Sequence, residues 1–178
     1  MSQPPPTLAE ITRAIRNVPD FPKPGIQFKD ITPVLGDGRL FAATVDALID
    51  RFAPGQVDAV AGVDARGFIF AAAAAVKLQA GLVPVRKKGK LPYQTIEESY
   101  ELEYGSNTLA IHADALKPGS RVLLLDDLLA TGGTARAAAT LLRRLGAEIL
   151  EVGFVIELGF LQGRAKLRDF PVRSLIVF

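Results

Sequence analysis

Residues 122–134 read VLLLDDLLATGGT, and no other stretch restricts the fold as much. Val122, Leu123, Leu124 and Leu125 run without polar alternation, as suits a strand covered on both faces in a parallel sheet. The strand is expected to end there. Asp126 and Asp127 follow it directly, and Ala130, Thr131, Gly132, Gly133 and Thr134 make a small hydroxyl-bearing loop. From Thr134 the spacing predicts a helix: Ala138, Leu141, Leu142 and Leu145 share one face, Arg136, Arg143 and Arg144 the other, and Gly146 stops it. This order brings backbone N–H groups to a helix N-terminus, where an anion is favoured.

The rest of the chain repeats the plan. Thr7 and Glu10 form a capping box for a first helix with Leu8, Ile11 and Ile15, running to about Asn17. The prolines and glycine of DFPKPGIQFKD forbid a helix and predict an extended surface loop, of the kind that carries recognition. Asp37 is placed to cap a helix with the stripe Phe41, Val45, Leu48 and Phe52. A strand at 57–60, the turn GVDARG and an alanine-rich helix over 68–79 come next, then a strand at 82–85. Further strands are expected around 109–112, 149–157 and 174–178. Strands alternating with helices predict an α/β fold: a doubly wound, mainly parallel sheet flanked by helices. Between 86 and 108 lies a long stretch with only weak alternation, expected to be a flexible lid loop.

Composition narrows the function. A 178-residue chain with 49% hydrophobic residues is expected to form one domain over 1–178 with a substantial core. No apolar run reaches the ~20 residues of a membrane helix, and MSQPPPTLAE lacks the regions of a signal peptide, so a cytoplasmic protein is expected, with no membrane partner. The absence of cysteine excludes thiolate metal sites, and with His112 as the one histidine a histidine zinc site is not expected. His112 itself is expected to be a strand residue with a satisfied ring. The charge of +2 is mild and interspersed, so no nucleic-acid partner is expected.

The loop TGGT is neither a Walker A sequence nor a dinucleotide fingerprint, and no lysine enters it. Two carboxylates ahead of a short phosphate cradle suit a sugar phosphate whose vicinal hydroxyls need acceptors. A plainer reading leaves the acids capping the loop and the glycines turning the chain.

VLLLDDLLATGGT resembles the phosphoribosyl-diphosphate (PRPP) motif of type I phosphoribosyltransferases, in detail that of members that use adenine. DFPKPGIQFKDITPVL, VDARGF, VRKKGKLP, ESYELEYG and GRAKL extend the resemblance over most of the chain in the same order. The resemblance implies transfer of the phosphoribosyl group from PRPP to N9 of adenine, giving AMP and diphosphate in purine salvage. By it, Ala130, Thr131, Gly132, Gly133 and Thr134 hold the 5-phosphate, and Asp126 and Asp127 hold the ribose hydroxyls. Arg66, Arg86, Lys87 and Lys90 would take the diphosphate. Mg²⁺ would be carried by PRPP and water, with no direct protein ligand assigned. Gln27, Phe28 and Lys29, within a recognition segment of about 20–35, would read and stack on adenine. Where related 6-oxopurine enzymes carry an acid, this chain has Ala130; the resemblance moves the proton-transfer role to Glu103, with Arg66 beside it in catalysis and Tyr104 closing the lid. The family is typically homodimeric.

Alternatives stand beside these roles. RKKGK could be a solvated basic turn or a weak nucleic-acid patch, the residues alone do not separate Glu103 from Glu97, Glu98 and Glu101, Arg66 could simply pair with Asp64, and Phe28 could be core. At the level of function, the alternatives are a non-catalytic PRPP-binding regulator, for whose DNA-binding module 178 residues leave little room, and a phosphoribosyltransferase for another base.

Overall fold

The structure is a computed structural model describing residues 4–101 and 106–178. The chain divides into two compact units, Met1–Ala47 and Leu48–Phe178.

In the first unit Thr7 caps α1 (Leu8–Ala14): its hydroxyl accepts from the Glu10 N–H, and the Glu10 carboxylate accepts from the Thr7 N–H at 2.8 Å. The helix stops before Asn17, because Arg16–Pro19 forms a strand, β1. β1 pairs antiparallel with β2 (Gln27–Asp30), Val18 opposite Phe28. The segment expected as a free extended loop is thus half of a hairpin. Proline dictates extended backbone, but it does not reveal that a partner strand lies just upstream. A short helix, α2 (Thr32–Gly36), adds to the expected elements; Pro33 sits in its first turn, where a missing N–H costs nothing. Asp37 Oδ1 then accepts from the N–H groups of Arg39 and Leu40, at 2.8 and 3.1 Å, and caps α3 (Gly38–Ile49) as the sequence indicates.

The second unit is organised on strands β3 (Ala59–Val63), β4 (Gly81–Lys87), β5 (Thr95–Glu101), β6 (Ser106–His112), β7 (Arg121–Leu129), β8 (Glu148–Glu157) and β9 (Val172–Val177). They form one sheet in the order β5-β6-β4-β3-β7-β8-β9. β4, β3, β7, β8 and β9 are parallel; beyond β4, β6 pairs antiparallel with β4 and β5 antiparallel with β6. α4 (Arg66–Leu78) joins β3 to β4, and α5 (Gly133–Arg144) joins β7 to β8. The two crossovers run in opposite directions along the sheet, so the same right-handed rule sets their helices on opposite faces. β7 alternates accordingly. Val122 and Leu124 pack in the core with Ala138, Leu141 and Leu142 of α5, while Leu125 lies against Gly153 with Leu48 close by. Burial on both faces is the reason this strand is apolar throughout.

Two expectations need correction here. Asp126 and Asp127 lie inside β7, not after it, because β8 keeps pairing past them: Asp126 stands opposite Phe154 and Leu129 opposite Glu157. The stretch expected as a long loop over 86–108 contains β5 and the start of β6, with Tyr100 opposite Asn107; its weak alternation is that of a strand with one solvated face. Two 3₁₀ turns, Gly159–Leu161 and Gly163–Leu167, connect β8 to β9. Among the described residues no helix is long and apolar enough to cross a membrane.

Candidate active site

β3 and β7 are neighbours from which the chain departs to opposite sides, which makes their carboxyl ends the switch point where open α/β sheets bind ligands. A cavity of about 410 Å³ opens there, lined by residues 63–66 after β3 and 126–135 at the end of β7. It therefore unites Asp126, Asp127, Ala130, Thr131, Gly132, Gly133, Thr134 and Arg66, which the sequence links only by motif.

Arg66 opens α4, and its Nε donates to Asp127 Oδ2 at 2.5 Å; Asp127 is 6% exposed. Among the described residues the acid seen paired with Arg66 is thus Asp127 and not Asp64. Asp64 instead accepts from Arg86 Nε at 3.0 Å, and Arg86 Nη1 also donates to the Lys90 carbonyl at 3.0 Å. Two ion pairs thus knit the end of β3 to β7 on one side and to β4 on the other. Asp126 accepts the Asp127 N–H at 2.9 Å. Its carboxyl is pushed well above the ordinary carboxylate range, first because the surrounding protein strips it of water and second because Asp127 stands beside it.

The loop itself is shaped for an anion. Gly132 takes a left-handed φ of +78°, and α5 begins at Gly133 with no side chain among the described residues capping it. The first N–H groups of a helix have no acceptor within it, so they are available to a ligand in the cavity. Behind the loop sits Gly163: a Cβ there would lie 2.1 Å from the Ala130 carbonyl oxygen and 2.9 Å from the Gly132 nitrogen. The turn carrying Gly163 is held by Arg164, which donates to Glu157 Oε1 at 3.2 Å and Oε2 at 2.6 Å and to the Val172 carbonyl at 2.9 Å. In front, Tyr100 of β5 covers Gly133, and the Thr134 hydroxyl donates to the Tyr100 hydroxyl at 3.1 Å.

Other residues singled out in the sequence belong to different elements. Lys87 ends β4, and Lys90 lies in the turn closed by its N–H to the Lys87 carbonyl; neither lines the cavity. Gln27, Phe28 and Lys29 belong to β2 in the first unit. Gln27 is exposed, Phe28 meets Phe21 edge-on at 5.2 Å, and Lys29 Nζ donates to Asn17 Oδ1 at 2.6 Å. Phe28 is half-buried rather than core. Glu103 and Tyr104 lie outside the described residues. His112 packs edge-on to Tyr93, and its buried Nε2 has no hydrogen-bond partner among the described residues, so its ring is not satisfied as expected.

Tyr100 and Gly163 are the functional candidates that sequence reasoning missed. Both occur in stretches that carry the resemblance, ESYELEYG and GRAKL, yet neither is near the loop in the chain.

The phosphoribosyl transferase domain model matches residues 35–175. The adenine phosphoribosyltransferase of Methylobacterium nodulans is 56% identical over 176 residues, covering 98% of this chain and 97% of its own. Among solved structures, that of adenine phosphoribosyltransferase from Rhodothermus marinus superposes with a TM-score of 0.91 at 52% identity, covering 96% of this chain and 98% of its own. The Saccharomyces cerevisiae enzyme of the same name, complexed with an imino-altritol bisphosphate and adenine, gives 0.90 at 42% identity over 94% and 97%.

Proposed function

The chain belongs to the phosphoribosyltransferases, among the adenine phosphoribosyltransferases, and on that premise we propose that it transfers the 5-phosphoribosyl group of PRPP to N9 of adenine, releasing diphosphate and forming AMP for purine salvage. The observation that carries this reading is the single cavity joining the aspartate pair to the glycine loop at the switch point. A sugar phosphate has hydroxyls for the first and an anion for the second.

In this reading Ala130, Thr131, Gly132, Gly133 and Thr134 hold the 5-phosphate, and Asp126 and Asp127 receive the ribose hydroxyls. As diphosphate leaves, positive charge grows on the ribose ring, and the Asp127 carboxylate, held in place by Arg66, favours that state over the ground state. Arg66 faces the same cavity. A guanidinium carries five N–H donors, so the bond to Asp127 through Nε is compatible with Arg66 also meeting the leaving diphosphate. Arg86, Lys87 and Lys90 supply further positive charge on the neighbouring β4 turn. Gln27, Phe28 and Lys29 read adenine, and Glu103, with Tyr104, serves proton transfer and closure. These roles rest on the resemblance and on the chemistry of the residues themselves.

Mg²⁺ is part of the proposal. Among the described residues no group of three or more potential ligands stands together, whereas Asp126 and Asp127 offer carboxylate oxygens in the cavity. That donor set fits an ion carried mainly by diphosphate and ribose oxygens and by water. When bound, the ion would neutralise charge on the leaving group. A homodimer and a cytoplasmic location complete the reading, with the whole chain serving one reaction. Exposed Ile69 and Val76 on α4, with Leu82 at the start of β4, support a face for a second copy, which light scattering on the purified protein tests. Cell fractionation tests the location.

Incubation with adenine, PRPP and Mg²⁺ should yield AMP and diphosphate in equal amounts. Tight PRPP binding without turnover would favour a non-catalytic regulator instead.

A further inference from the structure

Thr134 stands in the loop that the proposed function assigns to the 5-phosphate, and the role inferred below for Tyr100 rests on that assignment. A threonine hydroxyl has one proton to give and two lone pairs. Here its proton goes to the Tyr100 oxygen at 3.1 Å. A phosphate oxygen that accepted this proton would leave Thr134 Oγ1 facing the Tyr100 O–H across the same distance. The phenol is the more acidic hydroxyl and the better donor, so the bond survives with its direction reversed.

We infer that Tyr100 is a positioning residue for the 5-phosphate: it fixes the Thr134 hydroxyl in the loop through a hydrogen bond whose donor and acceptor exchange when phosphate binds. Three features hold Tyr100 in place for this. Its backbone is locked opposite Asn107 in the β5–β6 ladder. Its ring packs against the core cluster under α5. The same ring lies over Gly133, where a Cβ would come within 3.1 Å of Tyr100 Cδ2, so the absence of a side chain at Gly133 is what lets the phenol reach Thr134. The arrangement couples a strand remote in sequence to the helix start that carries the anion site. It also selects: a ligand lacking the 5-phosphate gains nothing from the exchange.

Calorimetric titration of ribose 5-phosphate and, separately, of diphosphate with Mg²⁺ into the wild type, Tyr100→Phe, Thr134→Ala and the double variant tests the inference. The phenylalanine keeps the ring and removes only the hydroxyl. Ribose 5-phosphate affinity should fall, because the reversed bond donated by the phenol is the stronger of the two, but by less than the roughly two- to twelvefold of one whole net hydrogen bond, since the free protein loses its bond as well; diphosphate affinity should hold within about twofold. In the Thr134→Ala background the Tyr100→Phe change should have no further effect, because the partner is gone. Unchanged ribose 5-phosphate affinity, equal weakening of both ligands, or additive losses in the double variant would each overturn it. A wild type that binds ribose 5-phosphate but makes no AMP would overturn the proposed reaction alone, and the Tyr100→Phe titration would still decide this inference.

Discussion

Replacing Gly163 by alanine adds one methyl group directly behind the phosphate loop. The new Cβ would stand 2.1 Å from the Ala130 carbonyl oxygen, against the 3.4 Å of an ordinary contact, so about 1.3 Å of separation must be found. The 3₁₀ turn has little to give. Arg164 pins it to Glu157, a carboxylate 6% exposed and held below its usual range by that arginine, and to the Val172 carbonyl. The loop, held at its ends by β7 and α5 and at Thr134 by the Tyr100 hydroxyl, is the part expected to yield. Overpacking of this kind costs about 1–3 kcal/mol, and each kcal/mol lowers Tm by about 2–4 °C in a chain of this length. Displacing the phosphate cradle by ~1 Å should cost about 10²-fold in kcat/KM for PRPP, since the reacting carbon is positioned through that phosphate. Initial rates of AMP formation at varied PRPP, read with thermal melts, measure both quantities. If Gly163→Ala keeps kcat/KM within about threefold while its Tm falls by the overpacking cost, the turn bears on stability and not on the geometry of the site.

Asp126→Asn should be milder than Asp127→Asn. Burial and its neighbour's charge already favour the uncharged form of Asp126, which asparagine imitates, whereas Asp127→Asn breaks the ion pair with Arg66. Loss of a charge-assisted bond is worth about 1.5–3 kcal/mol, roughly 10- to 150-fold in kcat/KM, and the reverse ranking would refute the argument. Glu103→Gln should reduce kcat by about 10² to 10⁴ while PRPP affinity stays unchanged, and an unaltered kcat would remove Glu103 from proton transfer. Glu151→Gln tests a different carboxyl. Burial raises its folded pKa above the unfolded value, so the native state binds the proton more tightly and stability falls as pH rises through that interval. Glu151→Gln should therefore raise Tm at pH 8 and leave it nearly unchanged at pH 4, as melts across that range would show; a gain confined to low pH would contradict the sign.

The sequence is legible where local physics decides the outcome. The unbroken apolar run at Val122–Leu125 and the 3.6-residue spacing of Ala138, Leu141 and Leu142 are periodic within one element, and they locate β7 and α5 correctly. The Thr7–Glu10 box and the Asp37 cap are likewise visible, because capping is decided within four residues. The hidden features depend on partners far along the chain. β7 continues through Asp126 and Asp127 because β8 supplies the ladder, and no property of an aspartate reports that. Arg16–Pro19 is a strand because Gln27–Asp30 lies alongside, and Thr95–Glu101 because Ser106–His112 does. The site shows the same division. The aspartates and glycine loop are one contiguous motif, but Gly163 and Tyr100 reach that loop from the β8–β9 connection and β5 through close contacts that leave no periodic trace.

The choice of base is measured directly as turnover with PRPP and Mg²⁺ against adenine, hypoxanthine and guanine in separate reactions. Consumption of adenine to AMP, with the two 6-oxopurines inert, is the expected result. Turnover of hypoxanthine or guanine with adenine untouched would mean that the protein is not an adenine phosphoribosyltransferase.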